Sequence, residues 1–192
     1  MTEPMKKYMK TLSSLALAVT MVPTSLCAQE RFATRNGHIN FFSSTAVENI
    51  EADNHMVTSV LDLTTGAIEF AALIRAFEFE KALMQEHFNE NYMESTTYPK
   101  AMFKGKLKGM SATDRPSSGN HEVEVVGDLT IHGVTKPLAT KATLQMNADG
   151  TIKASSVFMV DPEDYNISIP AIVRNKIAKQ IKVTVDLVYA RM

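Results

Sequence analysis

The chain has 192 residues, of which 45% are hydrophobic and 21% are charged. This length and composition are typical of one globular domain that is large enough to bury a core. The formal net charge of −1 gives no electrostatic basis for binding nucleic acid or an anionic membrane surface.

The first 28 residues have the pattern of a secretory signal peptide. Lys6, Lys7 and Lys10 precede an apolar run over residues 12–26, which ends in small residues and Ala28. The run is shorter than the ~20 apolar residues that cross a bilayer core. We therefore expect an exported, periplasmic protein whose mature domain covers residues 29–192, with no stable membrane span. A signal anchor is the alternative.

Cys27 is the only cysteine of the chain. The residue before it, Leu26, is not the small residue expected ahead of a lipid-modified cysteine, so a lipoprotein is the less favoured interpretation. If Cys27 leaves with the signal peptide, the mature protein has no thiol. A disulfide framework, a cysteine nucleophile and a thiolate metal site are then excluded together.

The first part of the mature chain is interpreted as short strands. Residues 31–34 and 38–42 are separated by Asn36-Gly37, a dipeptide typical of hairpin turns. Residues 43–54 are polar and mixed, which predicts a loop. Strict alternation then predicts strands over residues 56–63 and 67–74.

Residues 80–91 change to a helical period. Phe79 with Leu83, and Met84 with Phe88, lie four residues apart between charged positions, as on one face of an amphipathic helix. We expect this to be a single inserted helix.

The strand predicted over residues 100–108 has lysines on one face and Phe103 and Leu107 on the other. A row of lysines could contact nucleic acid, but the interleaved aromatic residues of a single-strand binder are missing. The row is better interpreted as a solvated face that discourages edge pairing.

Residues 121–146 predict two long strands joined by a turn at Gly133, where a residue without Cβ can take a positive φ. The inward face of the first strand comprises Val123, Val125, Leu129 and Ile131. Further turns are predicted over residues 114–120 and 147–150, and strands over residues 152–160 and 181–189. Residues 172–178 predict one helical turn, and Val183 and Val185 lie on the inward face of the last strand.

About eight strands joined mostly by short turns predict an all-β protein, because antiparallel strands with one apolar face must pack as a sandwich or a barrel. Eight strands closed into a barrel enclose room for one small ligand. Periodicity does not distinguish the barrel from the sandwich.

Two segments carry a resemblance to a known family. Residues 127–136, G-D-L-T-I-H-G-V-T-K, resemble a signature of the YceI-like family, lipocalin-like barrels associated with polyisoprenoid binding. Residues 79–103 resemble the family segment in which a His-hydrophobic pair precedes an aromatic stretch, Tyr-Pro and a strand ending on Phe. The Trp-x-x-Asp opening of the family is replaced here by Ala33-Thr34-Arg35-Asn36, so its role is not carried over. The resemblance implies a roughly eight-stranded antiparallel lipocalin-like barrel with one inserted helix.

No residue pattern indicates catalysis. The five histidines form no metal-binding motif, and neither a nucleophile elbow nor a phosphate-binding glycine loop is present. His87 and Glu90 could share a helix face, but that spacing is common by chance, and His132 is expected to hydrogen-bond within its own turn. We predict no catalytic residue, no metal site and no cofactor.

Small residues between large ones on the inward faces could leave an apolar tunnel, and the resemblance implies a ligand with a long apolar tail: a polyisoprenoid, an isoprenoid quinone or a related lipid. The predicted function is non-enzymatic binding or transport of such a lipid. The predicted lining consists of Phe70, Phe79, Leu83, Met84, Phe88, Tyr92, Met93, Phe103, Leu107, Val123, Val125, Leu129, Ile131, Val183 and Val185.

Two alternatives remain open. A hydrolase or isomerase that modifies the lipid could use the same cavity, and a stress-related structural protein would instead have a filled core. The sequence leaves the oligomeric state open, with a dimer among the options.

The signal-peptide pattern predicts a processed N-terminus. Edman sequencing of the protein isolated from the periplasm should begin within a few residues of position 29, because signal peptidase removes roughly the first 28 residues. A sequence beginning at or near Met1 contradicts the prediction.

Overall fold

The computed structural model describes residues 30–109 and 119–192. The predicted signal peptide and most of the turn predicted over residues 114–120 lie outside the described residues. Eight antiparallel strands form a closed barrel, because the first strand pairs with both the second and the last. The strands are β1 (Arg31–Ser44), β2 (Asn49–Asp62), β3 (Ala67–Leu73), β5 (Lys100–Lys108), β6 (Gly119–Ile131), β7 (Val134–Met146), β8 (Ile152–Val160) and β9 (Ile181–Arg191).

Around the barrel the strands follow the order β1, β9, β8, β7, β6, β5, β3, β2. An extra two-residue strand, β4 (Glu78–Phe79), pairs with β2, and the helix α1 (Ala82–His87) follows it. A wider helical turn, Phe88–Tyr92, continues from α1. The prediction of an all-β, lipocalin-like antiparallel barrel with one inserted helix is confirmed.

The hairpin predicted at Asn36-Gly37 is wrong, since β1 runs through it without a turn. Neither residue has the positive φ that such a hairpin turn requires. Instead the register against β2 shifts on both sides of Gly37. A Cβ at Gly37 would lie 2.3 Å from Leu187 Cδ2 and 3.2 Å from Val57 Cβ, so the glycine allows strands to approach closely at an irregular point of the ladder.

The loop predicted over residues 43–54 is much shorter than expected. β1 continues to Ser44 and β2 begins at Asn49, and Thr45 Oγ1 accepts a hydrogen bond from the Glu48 amide at 3.1 Å in the turn between them. The polar residues that suggested a loop alternate with Ile50 and Ala52 on one strand. Asn49, Glu51 and Asp53 lie on its outer face, as expected of a barrel wall. Asn54 is instead in phase with Ile50 and Ala52 and is fully buried, where its Nδ2 donates to the Leu73 carbonyl oxygen at 2.8 Å.

The β6–β7 hairpin is confirmed. Its two strands pair without interruption from Gly119 and Met146 to Ile131 and Val134. The turn consists of His132 at φ 49° and Gly133 at φ 74°, which is the backbone twist that matches two antiparallel strands.

One end of the barrel is filled with side chains, and we call it the closed end. Its fully buried residues are Val57, Leu61, Leu144, Ile152 and Tyr189. The Ser59 hydroxyl lies 2.7 Å from the Glu69 carbonyl oxygen and 2.7 Å from the Tyr189 hydroxyl. Because the carbonyl can only accept, Ser59 donates to it, and the Tyr189 hydroxyl donates to Ser59 Oγ. Burial raises the pKa of Tyr189 to about 12, against the smaller opposing effect of the Ser59 hydrogen bond.

Tyr189→Phe is expected to lower the free energy of unfolding by about 1 kcal/mol at neutral pH, because the buried Ser59 oxygen loses a donor. In the wild-type protein, stability should also fall as the pH rises from 10 to about 12, since the unfolded state loses its tyrosine proton first. The variant should show less of this fall. A residual part remains because burial also raises the pKa of Tyr165.

Urea unfolding at several pH values measures both effects. Tyr98→Phe is the matched control, since the Tyr98 ring packs on His132 but its hydroxyl has no hydrogen bond within the described ranges. Equal stability of the wild-type and Tyr189→Phe proteins at neutral pH would contradict the hydrogen-bond chain, and equal pH dependence would contradict the raised pKa of Tyr189.

Candidate functional site

The other end of the barrel contains a cavity of about 460 Å³, which we call the mouth chamber. Its wall is formed by the carboxyl ends of β1, β3, β6 and β8 and the amino ends of β2, β5 and β9. The chamber is covered by α1 and by the connection between β8 and β9. The deep lining is apolar and comprises Ile39, Phe70, Ala72, Ile74, Ala101, Leu129, Ile131, Phe158, Val160 and Val183.

Four phenylalanines form a cluster on one side of the mouth chamber. Phe41 of β1 lies with its ring centroid 5.5 Å from those of Phe77, Phe79 and Phe88. The Phe79 and Phe88 rings are 5.0 Å apart in a tilted arrangement. These contacts join the barrel wall to the helical segment, because aromatic pairs at such distances are attractive beyond their buried area.

The helix α1 has only six residues, and none of them is buried. The Phe79 amide donates to Gln85 Oε1 at 3.3 Å, and Lys81 Nζ lies 3.5 Å from Glu48 Oε1 across the chamber rim. After the helix, Met93 is buried against the core. The segment is therefore tied at both ends and by Phe88 in its middle, while the exposed residues of α1 cover the chamber.

A smaller space of about 80 Å³, the inner chamber, lies deeper in the barrel. Phe70, Leu129 and Phe158 line both chambers and mark the boundary between them. Gly105 faces inward on β5, but contrary to expectation it does not enlarge the inner chamber. A Cβ at Gly105 would lie 2.6 Å from the ring of Phe103, so that ring already occupies the room beside the glycine.

The two chambers bring most of the predicted lining together. The predicted lining residues that lie at the mouth chamber are Phe70, Phe79, Leu83, Met84, Phe88, Tyr92, Met93, Leu129, Ile131 and Val183. Those at the inner chamber are Phe70, Phe103, Leu107, Val125, Leu129 and Val185. Val123 lines neither chamber. It is buried in the closed end, opposite Ala142 of β7.

Sequence reasoning missed the part of the lining that comes from the connection between β8 and β9. Ile167, Ile169, Val173 and Ile177 all reach the mouth chamber. The connection contains two short 3₁₀ turns, Pro162–Tyr165 and Ala171–Val173, instead of the single helical turn predicted over residues 172–178. The repeated apolar residues were a signal, but they follow no strand or helix period.

His132 holds two covering segments at the β6–β7 turn. Its Nδ1 donates to the Tyr165 carbonyl oxygen at 3.3 Å, and its ring centroid lies 4.4 Å from that of Tyr98. The prediction of a hydrogen bond within its own turn is wrong, because the ring contacts the connection between β8 and β9 instead. Nε2 lies 3.5 Å from Glu94 Oε1, too far for a well-formed hydrogen bond, and it has no hydrogen-bond partner in the described part of the chain.

The polar and charged side chains of the mouth chamber are Ser43, Glu48, Lys81, His87, Tyr92 and Lys176, and the charged ones among them lie around the rim. His87 Nδ1 is 2.9 Å from Asn91 Nδ2, and residues 30–109 and 119–192 contain no group of three side chains suited to hold a metal ion. The arrangement can bury a hydrocarbon chain and leave a polar group at the rim.

In the same ranges, no helix is long and apolar enough to cross a membrane.

Comparisons with solved structures show the same fold. A polyisoprenoid-binding domain from Saccharophagus degradans superposes with a TM-score of 0.74 at 16% identity, covering 85% of this chain and 99% of that one. Burkholderia cenocepacia BcnA gives a TM-score of 0.64 at 14% identity, over 80% and 96% of the two chains. The YceI protein of Campylobacter jejuni gives 0.53 at 16% identity, over 98% and 99%.

Sequence comparisons identify the family. A UPF0312 protein of Pseudomonas savastanoi pv. phaseolicola is 37% identical over 62 residues. That match spans 32% of this chain and only 28% of the relative's length. The family model of the YceI-like domain matches residues 21–189, nearly the whole chain. The barrel, its apolar mouth chamber and this match together place the chain in the YceI-like family.

Proposed function

We propose that the protein is a non-enzymatic carrier of an amphiphilic lipid with a long apolar tail, of the polyisoprenoid or isoprenoid-quinone class. The tail occupies the mouth chamber and reaches toward the inner chamber. The polar head remains at the rim. The single observation that carries the proposal is the distribution of polarity: the deep wall is hydrocarbon, and every charged lining group lies at the rim.

The size of the mouth chamber fits this role. Its volume of about 460 Å³ falls within the range of roughly 300–1,000 Å³ that is usual for small-molecule sites. Each methylene transferred from water gains about 0.8 kcal/mol, so about ten buried carbons contribute ~8 kcal/mol before the cost of immobilisation. Apolar contact alone then supports binding, and the similarity to a polyisoprenoid-binding domain supports this tail chemistry.

The lining supports binding more than catalysis. A hydrolase or isomerase would need a nucleophile and a base, or a titratable group with a shifted pKa, against the buried part of the ligand. Tyr189 has a raised pKa, but it lies at the closed end and lines neither chamber. A fully packed structural core is disfavoured by the mouth chamber itself. With the signal-peptide pattern, we place this carrier in the periplasm.

Protein purified from the periplasm without detergent should retain lipid. Extraction with organic solvent followed by mass spectrometry should release a long-chain isoprenoid or related amphiphile in near-stoichiometric amount. As a control, Ala72→Trp adds bulk inside the mouth chamber and should reduce the yield, whereas Thr58→Trp on the outer face of β2 should not. Repeatedly empty extracts from the wild-type protein would contradict the proposal.

The helical segment is expected to control exchange of the ligand. In the Leu83→Ala/Phe88→Ala variant, lipid dissociation should be about tenfold faster, the equivalent of ~1.4 kcal/mol of lost covering contacts. Dissociation of a fluorescent prenol into acceptor vesicles measures the rate, and circular dichroism checks that the barrel remains folded.

Glu86→Ala/Glu90→Ala is the matched control, because both side chains are exposed on the same helical segment and line no chamber. Leu83→Ala alone is the milder variant if the aromatic cluster proves essential for folding. Unchanged dissociation rates in both Leu83 variants would show that the ligand leaves by another route.

A further inference from the structure

Three large apolar side chains project into solvent around the mouth chamber, and we call them the rim tips. Ile172 is 87% exposed, Leu83 is 62% exposed and Val47 is 60% exposed. They come from three separate segments: the connection between β8 and β9, the helix α1, and the β1–β2 turn. None is covered by another part of the described chain, although each is large enough to gain from burial.

The rim tips surround one opening. Glu48 and Lys81 form an ion pair at 3.5 Å, which joins the turn of Val47 to the start of the helix that carries Leu83. The Ala178 amide donates to Ser43 Oγ at 2.9 Å, which joins the segment of Ile172 to the end of β1. Leu83 lines the mouth chamber, as do Glu48 and Val173, the sequence neighbours of the other two tips.

The chain segment that carries Ile172 is basic. Residues 171–182 contain Arg174, Lys176, Lys179 and Lys182 and no acidic residue. Arg174 is paired with Glu163 at 2.6 Å, and Lys182 lies over the Phe42 ring. Lys176 and Lys179 are exposed and have no ion-pair partner among the described residues, so two free ammonium groups stand beside the most exposed apolar side chain.

We propose that this rim docks on the surface of an anionic lipid bilayer. The rim tips enter the interfacial region, and Lys176 and Lys179 contact lipid phosphates, the combination by which peripheral proteins hold a membrane surface. Residues 29–192 carry a net charge of −3, since residues 1–28 contribute +2 to the −1 of the whole chain. This charge does not prevent the contact, because screening limits the interaction to charges within about 10 Å of the surface. The proposal rests on the carrier function, since docking places the mouth chamber against the source of its lipid.

The arrangement fits a bilayer better than a protein partner. A protein interface has a continuous, desolvated apolar centre. Here the apolar side chains are separate tips, interrupted by the Glu48–Lys81 ion pair and by lysines. Isolated tips among cations can each insert between lipid head groups without a complementary surface.

Vesicle flotation tests the docking directly. Protein purified in the form that cells accumulate is mixed with vesicles of phosphatidylethanolamine and phosphatidylglycerol in a ratio of roughly 7:3, or with phosphatidylcholine alone. We expect flotation with the anionic vesicles, weaker flotation with phosphatidylcholine, and loss of binding as salt rises from about 0.05 M to about 0.5 M. Lys176→Gln/Lys179→Gln should remove most of the difference between the two compositions.

Val47→Ser/Ile172→Ser should lower the partition coefficient at least about tenfold, because both side chains lose their interfacial burial. The matched control is Val60→Ser/Val188→Ser, which changes two exposed apolar residues, 40% and 55% exposed, on the barrel wall toward the closed end. The control should float like the wild-type protein. Equal flotation of the rim variant and the wild-type protein overturns the proposal, as does the absence of wild-type flotation on anionic vesicles.

Two further readouts separate docking from the carrier function and from self-association. Loading with a prenol from detergent micelles should be the same in the wild-type protein and in Val47→Ser/Ile172→Ser, since neither residue lines a chamber. Normal loading without flotation would reject docking and leave the carrier function intact, whereas flotation without loading would reject the carrier function alone. A dimer in analytical ultracentrifugation that the rim variant abolishes would assign the tips to a second copy of the chain, against the proposal.

Discussion

The packing around Tyr189 closes one end of the barrel, and the depth of the interior cavity depends on it. Closure of eight strands fixes an interior that side chains can fill or leave open. At the closed end, large residues such as Leu61, Ile152 and Tyr189 fill most of it, and the Tyr189–Ser59–Glu69 hydrogen-bond chain pairs the two hydroxyl groups buried there. Toward the mouth, the same strands enclose the mouth chamber of about 460 Å³.

The difference between the closed end and the mouth of the barrel also determines how the mouth is covered. The helical segment and the connection between β8 and β9 lie over the mouth chamber, and both approach the β6–β7 turn. His132 contacts the Tyr165 carbonyl in one connection and packs on Tyr98, which follows the helical segment. A Cβ at Gly133 would lie 2.6 Å from the Tyr98 ring, so the turn also needs a glycine for this contact. The turn that carries the family signature therefore anchors the cover of the chamber, in addition to joining two strands.

The sequence predicted the parts of the fold that depend on local alternation. Strands such as β5 and β9 have an apolar residue at every second position. Their inward faces could therefore be predicted without knowledge of the adjacent strands. Features that depend on distant contacts could not be predicted. Gly37 allows a close approach to Leu187 of β9, a residue 150 positions away, and the same dipeptide locally indicates a turn. The apolar side chains between β8 and β9 reach the chamber through an irregular backbone that gives no period.

The proposed carrier function requires that an apolar tail lies in the mouth chamber with its far end directed to the inner chamber. Nuclear magnetic resonance can test this orientation with a bound prenol that carries ¹³C only in its terminal methyl groups. We expect nuclear Overhauser contacts from these methyl groups to Leu129, Leu107 and Val185, which line the inner chamber. Terminal-methyl contacts confined to the rim or to the outer face of the barrel would contradict this orientation.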